Sequence, residues 1–215
     1  LRYLWRGWLA ALYVGLLSSC ASVDVRGPVD DPQAEWRAHR AVLQTQRNWY
    51  ARGRIGYRSQ SDGWSAGFRW TQREGAFEIL LSGALGTKRV KIRGDGNSVY
   101  LRTSDGREVR STDTASLLGE ELGVPVPVSA LRNWLVGLPG AASSFTYELD
   151  EAGRLRVLRQ AGWEVRYSDY LPVGEVYLPS RVVASRALHE IKMVVREWIF
   201  PPAVRAAADI AALSG

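Results

Sequence analysis

The chain has 215 residues, with 28 Lys and Arg against 22 Asp and Glu, and its formal net charge is +6. That length suits one domain with a sizeable core, and 46% hydrophobic with 23% charged residues excludes wholesale disorder. A single Cys excludes an intrachain disulfide framework and a multi-Cys zinc site, and the two His, His39 and His189, leave little for metal chemistry. The nine Trp and nine Tyr stand out, because large rings are costly to place without burial or an apolar ligand.

Residues 1–20 read as an address. Arg2 and Arg6 form a basic region, and Leu9 to Leu17 is an apolar run too short to span a bilayer. Leu17-Ser18-Ser19-Cys20 then resembles the bacterial lipobox, in which the Cys is lipidated and becomes the first mature residue. Several acyl chains hold a protein on a membrane where one anchors only marginally. In lipoproteins with this motif Asp after the Cys favours the inner membrane; Ala21 stands there, which implies the outer membrane. The expected organisation is a signal peptide over 1–19, an acylated tether over 20–34, one domain over 35–200 and a flexible tail over 201–215.

In the mature chain, Asp31-Pro32 reads as an N-cap followed by Pro at the first helical position. Trp36, Arg40, Leu43 and Arg47 fall at helical spacing. From Trp49 the period changes to two. Trp64, Ala66, Phe68 and Trp70 share one strand face; Phe77, Ile79 and Leu81 repeat the pattern, then Val90 and Ile92, then Val99 and Leu101. Asp62-Gly63, Asp95-Gly96 and Asp105-Gly106 stand between these runs, where hairpins need positive φ. Two short helices interrupt the meander. Thr112 or Asp113 caps the first, which carries Leu117, Leu118 and Leu122; the second starts at Ser129 and carries Leu131, Trp134 and Leu135. Strands resume with Tyr147 and Leu149, Leu155 and Val157, then Trp163, Val165 and Tyr167, and two more cover roughly 175–186 and 188–199.

No nucleophile elbow, zinc-protease helix, phosphate loop or dinucleotide fingerprint occurs. Neither His has a carboxylate nearby in sequence to orient it, and the acidic pairs fall at a linker, a helix end and a turn. An enzyme is not expected, and neither a metal nor a cofactor. Arg89, Lys91 and Arg93 share one face of one strand and read as a solvated outer surface. A nucleic-acid role requires access that an exported lipoprotein lacks, and lipid head groups are the more plausible anions.

The order of motifs resembles the LolB family, outer-membrane lipoprotein receptors of Gram-negative bacteria. The matching stretches are Trp36-x-x-His39-x-x-x-Leu43, Trp49-x-x-x-Gly53-x-Ile55, Phe68-x-Trp70 and Leu80-Leu81-x-Gly83-Ala84-Leu85-Gly86. The most specific runs from Leu118 through Leu122-Gly123-x-Pro125-x-Pro127 to Leu131-x-x-Trp134-Leu135-x-Gly137. Trp163-x-Val165-x-Tyr167, Leu178-Pro179 and Ile191-x-Met193-x-Val195-x-x-Trp198 follow in order, so the resemblance covers about residues 36 to 198.

The resemblance implies a mainly β fold: a curved antiparallel half-barrel, LolA/LolB-like, with short helices lidding an apolar cavity. It implies a monomer that takes acylated lipoproteins from the periplasmic carrier LolA and releases them into outer-membrane phospholipid, with no catalysis or cofactor. Candidate cavity and lid residues are Trp64, Phe68, Trp70, Phe77, Ile79, Leu81, Leu118, Leu122, Leu131, Trp134 and Leu135; plain core packing is the competing reading for the strand positions. Leu85 matches a Leu that protrudes from a loop and helps put cargo into the membrane, although many relatives have Pro where Ala84 stands. The alternative reading is a lipid- or peptide-binding lipoprotein that faces the periplasm as a sensor or scaffold.

Overall fold

Eleven strands form a single antiparallel sheet in the computed structural model, which describes residues 27–84, 88–95, 97–123, 128–141 and 144–200. The expected signal segment, Cys20, Leu85, the Asp95-Gly96 turn at Gly96, Pro125, Pro127 and the tail from Pro201 lie outside the described residues. In chain order the elements are α1 (Pro32–Thr45), β1 (Asn48–Arg58), β2 (Gly63–Arg73), β3 (Ala76–Ala84), β4 (Lys88–Gly94), β5 (Val99–Thr103) and β6 (Glu108–Ser111). Then come α2 (Thr114–Leu122), α3 (Val128–Leu135), β7 (Phe145–Leu149), β8 (Leu155–Gln160), β9 (Trp163–Val173), β10 (Val176–Arg186) and β11 (His189–Ile199). The spatial order is β6-β5-β4-β3-β2-β1-β11-β10-β9-β8-β7. Two meanders are therefore joined through the β1–β11 pair. The end strands β6 and β7 are connected in sequence by α2 and α3.

Capping chemistry sets where the fold begins. Asp31 accepts hydrogen bonds from the amides of Gln33 and Ala34, both at 2.9 Å, and Pro32 opens α1. One turn earlier, the Val29 amide donates to the Glu151 carbonyl at 2.9 Å. The chain is thus tied to the domain from Val29, ahead of the expected boundary at residue 35, because the cap and that backbone bond order the end of the expected tether. Trp36 and Leu43 bury the inner face of α1.

Turn chemistry sets the register. Ala161 and Gly162, with φ of 52° and 77°, make the two-residue connection between β8 and β9, the conformation that matches strand twist. Asp62-Gly63 behaves differently from expectation. Gly63 already pairs with Arg58, and the loop closes through the Ser59 amide on the Asp62 carbonyl at 2.7 Å, so the turn precedes the glycine.

With register fixed, period-two alternation sends one set of side chains inward. Trp49, Ala51, Gly53, Ile55 and Tyr57 of β1 stand opposite Gln72, Trp70, Phe68, Ala66 and Trp64 of β2. The outer face is laced by cross-strand ion pairs such as Arg52–Glu197 at 2.9 Å and Arg93–Glu78 at 2.6 Å. Such exposed pairs are worth little individually but favour the observed pairing.

The β1–β11 junction depends on one glycine. Its register shifts between Arg52 and Gly53, a β-bulge that increases local twist. A Cβ on Gly53 would stand 2.0 Å from the Val194 carbonyl oxygen and 2.9 Å from the Val195 Cα, both backbone atoms unable to step aside. Gly53→Ala is therefore expected to destabilise the protein by about 2–3 kcal/mol or to prevent its accumulation. Gly56→Ala on the same strand, where the nearest atom is 3.7 Å away, is the tolerated comparison, with urea denaturation as the measurement.

Candidate functional site

The two inserted helices put their apolar sides on the inner face of the sheet. In α2 the Asp113 carboxylate accepts the Ser116 amide at 3.1 Å and the Ser116 hydroxyl at 2.7 Å. Leu117, Leu118 and Leu122 are buried. Gly123, at φ 72°, ends the helix with its amide on the Gly119 carbonyl at 3.0 Å. In α3 the buried residues are Val128, Leu131, Trp134 and Leu135, one stripe at helical spacing. The helix ends in a Schellman arrangement, with the Leu138 amide on the Asn133 carbonyl at 2.8 Å and the Gly137 amide on the Trp134 carbonyl at 3.0 Å.

The two helices are held to the sheet by unequal means. The buried Gln160 amide oxygen accepts from the Trp134 indole at 3.2 Å and from the Gly140 amide at 2.7 Å. Its NH₂ donates to the Gly140 carbonyl at 2.8 Å, so one side chain fixes both α3 and the segment after it to β8. At α2 the Trp64 indole donates to the Leu122 carbonyl at 2.9 Å, and Arg107 pairs with Glu121 at 2.6 Å from a largely exposed position.

Between these helices and the sheet lies a small cavity of about 40 Å³ with an entirely hydrophobic and aromatic lining. Eight of the residues expected at the site border it: Trp64, Phe68, Trp70, Ile79 and Leu81 from the sheet, with Leu118, Leu122 and Leu131 from the helices. Phe77, Trp134 and Leu135 do not. The Phe77 ring packs beside Trp70, with ring centroids 6.3 Å apart. Trp134 turns toward Trp163, at 5.8 Å, and Leu135 is wholly buried. Ile55, Ile92, Val128 and Met193 complete the lining and were not singled out from the sequence. Ile92 and Met193 were visible in alternating runs, but only the pairing of Ile55 with Met193 across β1–β11 brings the two meanders to one wall.

A space of about 40 Å³ holds on the order of a few water molecules and falls far short of a long acyl chain. The side chains that border it are at once its core and its lining; Phe68, Trp70 and Leu81 are each 3% exposed. Admitting an acyl chain therefore requires the helices to move away from the sheet. The wall carries a buried polar atom without a partner among the described residues, the Trp70 indole nitrogen. Away from the cavity, burial pushes the Tyr167 and Tyr170 phenols upward, which keeps both neutral. Among the described residues no group of His, Cys, Asp and Glu is arranged to hold a metal. No described helix is long and apolar enough to cross a membrane.

The continuous antiparallel sheet, with its two end strands bridged by short helices over an apolar interior, shares its fold with two solved structures. A LolA superfamily protein from Nitrosomonas europaea aligns with a TM-score of 0.51 at 10% identity, covering 86% of this chain and 100% of that one. A DUF1329 family protein from Desulfovibrio piger aligns at 0.54 and 5% identity, covering 86% and 99%; these likenesses concern the fold alone. Within that class the sequence is more specific. The family model described as outer membrane lipoprotein LolB matches residues 47–198. Proteins named outer-membrane lipoprotein LolB are 36% identical in Alkalilimnicola ehrlichii, over 90% of this chain and 96% of that protein. Their counterpart in Nitrosococcus oceani is 34% identical, over 85% and 92%. The chain belongs to the LolB family of outer-membrane lipoproteins.

The unequal fastening of the helices has a measurable consequence. Trp64→Phe keeps an aromatic group but loses the indole hydrogen bond and part of the ring volume, which is expected to cost about 1–3 kcal/mol. Amide exchange at the C-terminal end of α2 is expected to accelerate while that of α3 stays unchanged. Gln160→Leu leaves the Trp134 indole and both Gly140 backbone groups without their partner, and is expected to cost about 3 kcal/mol globally. Exchange mass spectrometry with urea denaturation distinguishes the two.

Proposed function

We propose that this chain is the outer-membrane receptor that accepts acylated lipoproteins from the periplasmic carrier LolA and inserts them into the outer membrane, without nucleotide hydrolysis. The observation that carries the reading is the fully apolar cavity between the sheet and the Leu-bearing faces of α2 and α3, in a LolB-family chain. Exposing one long acyl chain to water costs on the order of 10 kcal/mol, so cargo must pass from cavity to cavity without crossing solvent. Transfer then runs downhill in affinity from carrier to receptor to bilayer. A cavity nearly closed by its own side chains suits an intermediate station, because helix–sheet contacts re-form as cargo leaves and offset part of the binding energy.

In this reading Cys20 carries the lipid anchor and the protein faces the periplasm as a monomer. Leu85, in the connection between β3 and β4, dips into the bilayer, and burying it contributes about 1.5–3 kcal/mol. That is enough to bias docking and too little to anchor. The eight expected cavity residues, with Ile55, Ile92, Val128 and Met193, form the acyl site once α2 lifts.

Reconstituted transfer tests the reading directly. Carrier loaded with an acylated lipoprotein is mixed with this chain beginning at Ala21, and cargo is expected to move without ATP. No transfer from an active, loaded carrier to the folded protein refutes it and leaves the sensor or scaffold reading. Leu85→Glu is expected to accept cargo normally yet deliver it to outer-membrane vesicles far more slowly. Cys20→Ala in cells is expected to abolish palmitate labelling and membrane fractionation.

A further inference from the structure

The outer face of the first meander carries an arrangement that folding alone does not favour. One row across the sheet, read through the strand register, runs Glu197, Arg52, Arg69, Leu80, Lys91, Arg102, Glu108. Arg52 stands directly opposite Arg69, and Lys91 directly opposite Arg102. Like charges opposite one another destabilise a sheet. The acids flanking this row are engaged, Glu197 with Arg52 at 2.9 Å and Glu108 with Arg102 at 3.2 Å, while Lys91 reaches Glu78 at 3.5 Å. Arg69 has no ion pair among the described residues.

The adjoining row, closer to the end of the β3–β4 hairpin, runs Arg54, Gly67, Ser82, Arg89. Arg54 donates to the Ser65 hydroxyl at 3.3 Å, and neither it nor Arg89 has an ion pair among the described residues. Gly67 and Ser82 leave a low floor between two exposed guanidinium groups whose backbones are about 14 Å apart across three strand spacings. Arg69 borders the same floor from the neighbouring row. The two rows lie about 7 and 14 Å from Ala84, the last residue of β3. The asymmetry extends to the whole half: residues 48–111 carry 12 basic and 6 acidic side chains, residues 145–199 carry 8 and 8.

We propose that this outer face is a membrane-docking surface, on which Arg54, Arg69 and Arg89 receive the phosphate groups of anionic phospholipids. Arginine suits the task because its planar fork pairs with phosphate oxygens in bidentate fashion. The lipid surface is the occupant because the patch adjoins the hairpin whose loop carries Leu85, so head-group contact and insertion act in one orientation. The placement of that loop rests on the receptor reading above, but the test needs no cargo.

The chain from Ala21, which holds the entire described fold, is sedimented with phosphatidylcholine vesicles with and without phosphatidylglycerol. Binding is expected only to the anionic vesicles and to fall with added NaCl. The triple variant Arg54→Glu, Arg69→Glu, Arg89→Glu is expected to lose about tenfold or more in affinity. It is expected to fold normally by circular dichroism, since it relieves like-charge repulsion, and to accept cargo from the carrier in solution as before. The comparison variant Arg37→Glu, Arg47→Glu, Arg166→Glu makes the same change in net charge at exposed positions on α1, the α1–β1 connection and the second meander, and is expected to bind much as the parent does. Equal loss in both variants, or no preference of the parent for anionic vesicles, overturns the proposal. Retained vesicle binding with lost cargo acceptance also overturns it, and assigns the face to an acidic protein partner instead.

Discussion

A broad sheet with one apolar face has to bury that face, and among the described residues three helices are available to cover it. The rest of the structure follows from that constraint. The β1–β11 pair joins two meanders into one surface, so Ile55 and Met193 become neighbours and the inner rings converge. The bulge at Gly53 adds twist at this junction, and only a residue without a Cβ permits the approach of Val194. The end strands stay apart, and the connection between them, α2 and α3, falls where the apolar face is otherwise uncovered.

Covering the face and being able to uncover it place opposing demands on the helices. The structure divides them. Gln160 secures α3 with one buried hydrogen bond to the Trp134 indole and the segment after it with two more to Gly140, and leaving these partners unpaired is costly. At α2 the polar fastening among the described residues is one indole hydrogen bond and one ion pair whose arginine is largely exposed. Opening at α2 therefore gives up mainly apolar contact, and an acyl chain restores apolar contact. Under the proposed receptor function, that exchange needs no external energy source.

The outer face shows a different logic. On the second meander Arg154, Arg156, Arg159, Arg166 and Arg181 all pair with an acid; Arg159 bridges Glu148 and Glu164, and Arg181 pairs with Asp169. On the first meander the register sets cations against cations. Since the fold itself gains nothing from that arrangement, its explanation lies with whatever the face meets.

Much of this was legible in the chain. Alternation of Trp64, Phe68, Trp70, Ile79 and Leu81 determined the strands and their apolar side, because a period of two admits no other placement of those rings. Asp31-Pro32 and Asp113 marked helix starts, since their carboxylates satisfy amides that nothing else reaches. The Leu and Trp spacing of α2 and α3 marked two covering helices. Local sequence was silent where distant segments meet. That Val29 is tied to Glu151, that Phe77, Trp134 and Leu135 stand outside the cavity, and that Val128 stands within it depend on packing between elements. Periodicity tells which side of an element is apolar; how large a space remains between two apolar sides, here about 40 Å³, is decided only when side chains from both interdigitate.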